Sequence, residues 1–172
     1  MAAYLGVPVE ISSNDPEHLA FLEAAGRGEL AMQRCVNCAR LRYPVGNACP
    51  FCTSLESEWS VVSGRGVIYS YEVVTQAIHP AYRSRTPYPL VLVELDEQRQ
   101  VPGPDDGIRI IGTLIDADGE PESEERVGIG LRVRVKFVPL GDGLALPAFS
   151  LTDEAPEVRP WRLGETRPPS AQ

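Results

Sequence analysis

Four cysteines, Cys35, Cys38, Cys49 and Cys52, form two C-x2-C pairs inside one short stretch, LAMQRCVNCARLRYPVGNACPFCTSLESEW, and the chain has no others. Two tight turns that each present two thiolates close a tetrahedron around zinc, so the spacing reads as a zinc ribbon. Pro50 and the small residues near it suit such turns, and Arg34 and Arg40 beside the first pair favour thiolate over thiol. Iron in a rubredoxin-like site uses similar ligands. Two disulfides would need an oxidising compartment, and Met1–Glu10 has neither the basic start nor the long apolar stretch of a signal peptide. Zinc is the preferred reading. A metal held by four cysteines has no open coordination position, which points to a structural role.

The rest of the chain reads as mainly β. Before the cysteines, residues 15–26 are expected to be helical: Asp15 suits the N-cap, Pro16 the first helical position, and Gly26 and Gly28 end the run. After them come five candidate strands, at 64–76, 88–96, 108–116, 131–140 and 144–151, punctuated by glycines. LRVRVKFVPL alternates cleanly, with Leu131, Val133, Val135 and Phe137 on one face and Arg132, Arg134 and Lys136 on the other. Five short alternating strands suggest a small closed barrel, which leaves few open edges. The segments 97–107 and 116–128 read as exposed connectors. The expected division is a helical segment at 1–29, the ribbon at 30–59, a five-stranded barrel at 60–151 and an extended tail at 152–172. Apolar residues on the helix, and Trp161 in an otherwise polar tail, look surplus to a lone barrel and point to a partner.

Charge narrows the function. The net charge is −8, but residues 27–85 hold seven Arg against four Glu, while residues 86–172 hold nine basic and sixteen acidic groups. An acidic chain is a poor general nucleic-acid binder, because phosphate neutralisation drives that affinity. No apolar run reaches the 18 residues that a membrane span needs, so a cytoplasmic location without membrane contact is expected. The two histidines are His18, in the first helical turn, and His79, before Pro80. Neither lies in a motif that offers a nucleophile, and the cysteines are committed to metal, so no catalytic residue is assigned.

In order and spacing, the pieces GELAMQRCVNC, YPVGNACPFC, SGRGVIYSYEVV, HPAY, PYPLVLVELDE, IRIIGTLID, VGIGLRVRVKFV and LPAFSL resemble one family. It is the acyl-CoA-associated family in which a rubredoxin-like zinc ribbon is joined to an OB-fold, long numbered thirty-five among the domains of unknown function. The resemblance covers roughly residues 15–150. It implies a structural zinc and an accessory subunit of a thiolase-fold enzyme, in a hetero-oligomer with two copies of each chain. The implied chemistry is retro-aldol cleavage of a lipid or steroid β-hydroxyacyl-CoA, with this chain helping to bind CoA and complete the partner's active site. A bridging role in thiolase or acyl-transfer chemistry is the alternative. A third reading is a single-stranded nucleic-acid-binding OB-fold.

If a CoA thioester is bound, the segment HPAYRSRTPY holds suitable groups: His79, Tyr82, Arg83 and Arg85. Guanidinium forks grip phosphates and aromatic rings stack on adenine. Arg40 and Arg42, between the cysteine pairs, are candidates to join them. Contact with an acidic partner surface, or plain solvation, are the competing roles for these arginines.

Overall fold

The computed structural model describes residues 1–4 and 6–165; the last part of the expected tail, 166–172, lies outside them. The chain opens with a small hairpin of β1 (Ala3–Tyr4) and β2 (Val7–Pro8), followed by helix α1 (Pro16–Gly26). The start of α1 follows its sequence: the Asp15 side chain accepts from the His18 backbone N–H at 3.0 Å, and Pro16 sits at the helix start. The helix buries Phe21, Leu22, Ala24 and Ala25, and packs on β3, β9 and β10 of its own chain. The expectation that its apolar face awaits a partner is corrected. The fit is closest at Gly26, where a Cβ would lie 1.8 Å from the Gly143 carbonyl oxygen.

The ribbon is a three-stranded antiparallel sheet in the order β4 (Leu41–Arg42), β3 (Leu30–Cys35), β5 (Ser57–Val62). The barrel strands are β6 (Arg65–Val74), β7 (Tyr88–Leu95), β8 (Arg109–Thr113), β9 (Arg132–Gly141) and β10 (Leu144–Leu151), in the order β10-β9-β6-β7-β8. All the laddered pairs are antiparallel, and a parallel bridge between Leu114 and Phe149 closes the ring beyond β8. This is an OB-type barrel, and the described residues are mainly β with one α-helix. Ile68, Val93, Ile110, Leu114 and Phe149 fill its interior with no exposed surface, as one-sided alternation requires. Leu30, Met32 and Leu41 of the ribbon belong to the same apolar cluster, so ribbon and barrel share a core.

Three connectors are better ordered than their composition suggests. The segment after β7 begins with a 3₁₀ turn, Asp96–Gln98, and the Gln98 side chain is buried. Within the acidic 116–128 segment, Glu122 and Val127 are buried, and Asp116 Oδ1 accepts from the backbone of Asp118 and Glu120. The tail up to Glu165 lies against its own barrel: Trp161 exchanges backbone hydrogen bonds with Ile129, and Glu157 pairs with Arg99 at 2.7 Å. Trp161 is half-buried, and its indole Nε1 donates to the Glu165 carbonyl at 3.0 Å. Arg132 also departs from the alternation, because its side chain is buried. Carboxylates from two separate segments reach it: Asp96, just after β7, at 2.7 and 2.5 Å, and Glu154, just after β10, at 3.3 Å. Among the described residues no helix is long and apolar enough to cross a membrane.

Candidate functional site

The two cysteine turns are built alike. The first begins at the end of β3. Cys35 accepts from Ala39 N–H through its carbonyl and donates its own N–H to Arg40; Cys49 repeats both bonds with Thr53 and Ser54, all four at 2.8–2.9 Å. In each turn the residue after the second cysteine takes a left-handed backbone, Ala39 at φ 59° and Thr53 at φ 63°. The turns face one another, so that Cys35 and Cys52 sulfurs lie 3.6 Å apart, as do those of Cys38 and Cys49. All four lie within 4.8 Å of one another, and none forms a disulfide. Thiolates ~2.3 Å from a central zinc have tetrahedral edges of about 3.8 Å. The donor set therefore fits zinc in number, chemistry and spacing.

Electrostatics agree. Hydrogen bonds from the Asn37 side chain and the Ser54 backbone pull the Cys52 thiol down to about 6. At Cys38 the Arg40 backbone N–H lowers the value, but burial and the neighbouring thiols outweigh it and leave Cys38 at about 11. Four thiols this close resist joint ionisation until a cation stands between them.

Polar clamps fix the ribbon to the barrel. Buried Gln98 donates to the Leu41 carbonyl at 3.1 Å and accepts from the Leu41 N–H at 2.7 Å, so a barrel side chain completes the outer edge of β4. Buried Gln33 accepts from Arg42 Nε at 3.0 Å and from Gly46 N–H at 2.9 Å. Neither glutamine carries a recognisable signal in the sequence, since each finds its partners through the tertiary fold.

The six candidate ligand residues do not form one group. Arg42 is 3% exposed and committed to Gln33. Arg40 stacks over the Phe51 ring at 4.6 Å, beside the cysteine turns. The other four are together. His79 caps the 3₁₀ turn Pro80–Arg85 through Nδ1, and its ring lies 5.5 Å from that of Tyr82. Tyr82 meets the Tyr4 ring at 6.1 Å and donates to the Tyr4 carbonyl at 3.5 Å. Arg85 bonds Glu120 at 2.9 Å, and Arg83 is exposed. Behind this turn lies a cavity of about 170 Å³, walled by Tyr4, Tyr82, Tyr88 and Arg85, with Leu90, Thr113 and Pro121 completing it. A second, larger cavity shares Tyr4, Leu90 and Thr113 with it and extends towards Phe21 and Tyr43. The turn is legible in the sequence, and Tyr4 is not. Only tertiary pairing brings that residue to Thr113, whose Oγ1 lies 3.4 Å from the Tyr4 hydroxyl.

Comparison with known proteins agrees with this architecture. Residues 22–58 match the family model for the ChsH2 rubredoxin-like zinc ribbon domain, and residues 59–138 match that for the ChsH2 C-terminal OB-fold domain. A probable enoyl-CoA hydratase alpha subunit of Thermomonospora curvata is 33% identical over 75% of this chain. A DUF35 domain-containing scaffold protein of Methanocaldococcus jannaschii is 33% identical over 60% of it. The chain spans 35% and 64% of the lengths of these two relatives. A solved structure described as an Ltp2-ChsH2(DUF35) aldolase superposes with a TM-score of 0.65 at 30% identity, covering 84% of this chain and 98% of that one. With the four-cysteine ribbon, the shared core and the closed barrel in this order, the chain belongs to the ChsH2 (DUF35) family of zinc-ribbon OB-fold proteins.

Proposed function

We propose that this chain is a non-catalytic accessory subunit of a thiolase-fold acyl-CoA enzyme, with aldolase chemistry as the preferred reaction. The observation that carries the reading is the likeness, over nearly the whole of the compared chain, to the ChsH2(DUF35) component of an Ltp2-ChsH2 aldolase. In this reading the partner supplies the acid and base that cleave a β-hydroxyacyl-CoA. This chain shapes the site, and Arg83 and Arg85, with Tyr82 and His79, contact the CoA phosphates and adenine. Bound at the four cysteines, zinc supplies rigidity and no reacting position. The hydratase relative favours a second reading, in which the same module serves a CoA-ester hydratase. Nucleic-acid binding is disfavoured by the net charge of −8.

Co-expression with a thiolase-fold protein encoded nearby, followed by size exclusion and a CoA-ester assay, tests this. A hetero-oligomer with two copies of each chain and lyase activity absent from either chain alone is expected. Separate elution, with partner activity unchanged by this chain, rejects it. Replacing Arg83 and Arg85 together by Ala should raise KM for the CoA ester more than it lowers kcat, because contact with a remote phosphate is shared by ground and transition states.

A further inference from the structure

The cavity behind the 3₁₀ turn is better built than a chance depression. Three tyrosines contribute to its wall from three separate places: Tyr4 from β1, Tyr82 from the turn and Tyr88 from the start of β7. The Tyr4 hydroxyl lies against Thr113 at 3.4 Å, Tyr82 is tied to the Tyr4 carbonyl, and its ring is flanked by Tyr4 and His79. One cation stands in the wall. The Arg85 guanidinium reaches an exposed carboxylate, Glu120, through Nη1 alone, and its other nitrogens have no hydrogen-bond partner among the described residues. Tyr4 also lies outside the stretches that match the family models, so the family match alone does not account for this site.

We propose that this cavity binds a single aromatic ring bearing an oxyanion. Size sets the ring. An apolar cavity of about 150 Å³ accommodates benzene, and this one is about 170 Å³. Tyrosine faces and edges suit offset or tilted aromatic contacts, with rings ~4.5–7 Å apart. Arg85 sets the charge: its uncommitted edge offers a fork to a carboxylate or phosphate, and the ligand oxyanion would replace Glu120. Tyr82 and Arg85 are also the residues placed on CoA above. The ligand so defined is a free aromatic acid; the bicyclic base of a nucleotide is not a single ring and belongs to the CoA reading.

Calorimetric titration of the zinc-loaded full chain, without any partner, with 4-hydroxybenzoate, and separately with adenosine 3′,5′-bisphosphate, separates this site from the CoA reading. Saturable binding of 4-hydroxybenzoate supports the proposal. Arg85→Met should weaken that binding by about tenfold or more, the usual scale for losing a charged hydrogen bond. Glu120→Gln, at an exposed position, should tighten it by freeing the guanidinium, and it guards against a misfolded Arg85 variant. Tyr82→Phe should bind nearly as well as the native chain and Tyr82→Ala should not. No saturable binding of 4-hydroxybenzoate, binding of the bisphosphate alone, or binding indifferent to both Arg85→Met and Glu120→Gln, overturns the proposal. Neither result depends on whether the chain assembles with a thiolase-fold protein.

Discussion

The ribbon and the barrel are both small β structures, and they are held by different forces. Between Val36 and Val61 only Leu41, Arg42 and Cys49 are buried, while Val36, Leu55, Trp59 and Val61 are well exposed. In β7, by contrast, every second residue from Pro89 is buried, and Val93, Glu94 and Leu95 are buried in succession. The barrel can therefore be stabilised by apolar burial, at about 25 cal/mol per Å². The outer ribbon has almost nothing to bury. Its order falls to the four sulfurs and to the amide clamps of Gln33 and Gln98, while its inner strand β3 is anchored in the barrel core through Leu30 and Met32. A region without its own core needs a cross-link, and here the cross-link is a metal site.

Metal loss should have the largest effect. Structural zinc contributes on the order of 10 kcal/mol to small finger peptides. Chelation, or Cys35→Ser with Cys49→Ser, should abolish stoichiometric zinc and expose residues 36–56 to hydrogen exchange while the β6–β10 amides stay protected. Zinc retained by the double variant would break the assignment, and simultaneous melting of both regions would break the comparison. The Gln98 clamp comes next. Gln98→Ala leaves the Leu41 N–H and C=O buried without partners, at ~1–3 kcal/mol each. The melting temperature should drop and exchange should rise at Leu41 and Arg42 before it rises in β7. A smaller loss, ~1–3 kcal/mol for overpacking, should follow Gly26→Ala. A methyl group there meets the Gly143 carbonyl and pushes α1 off the β9–β10 hairpin. Unchanged thermal stability would mean that the hairpin yields freely.

These contrasts explain what could be read in the sequence. The cysteine spacing, the Asp15–Pro16 helix start, the alternation in β9 and the apolar runs between glycines are local signals, and they carried the cysteine cluster, the helix and the five barrel strands. What escaped was set by contacts between residues far apart in the chain. Gln98 and Leu41 are 57 positions apart, and Tyr82 and Tyr4 are 78 apart. Arg132 reads as a solvated charge because nothing nearby announces that Asp96 and Glu154 will converge on it. Arg40 and Arg42 sit between the cysteine pairs, which is where a ligand-facing arginine is plausible. Arg40 stacks on Phe51, and the buried Arg42 is held by Gln33. The tail looked unanchored because its partners, Ile129 and Arg99, lie in segments that themselves look like loose connectors.

The smallest effect expected is acid sensitivity at the joint between the two regions. Asp96 opens the 3₁₀ turn whose last residue is Gln98, and its carboxylate takes two hydrogen bonds from Arg132. Those bonds, and the nearby positive charge, hold its pKa below the usual carboxylate range despite partial burial. A carboxylate with a depressed folded-state pKa favours the folded chain at any pH above its unfolded value, ~3.9. That contribution fades as pH falls below this value and through the lower folded one. Arg132 stays protonated throughout and adds no pH dependence of its own. Melting temperature should therefore fall more steeply below about pH 4 in the native chain than in Asp96→Asn, which cannot titrate there. Because the turn carries Gln98, hydrogen exchange at Leu41 should accelerate in that window before exchange in β6 or β9 does. Parallel acid slopes for the two proteins would show that Asp96 does not couple the joint to pH. Simultaneous loosening of Leu41 and the barrel strands would show that the ribbon is held by the shared core more than by the clamp.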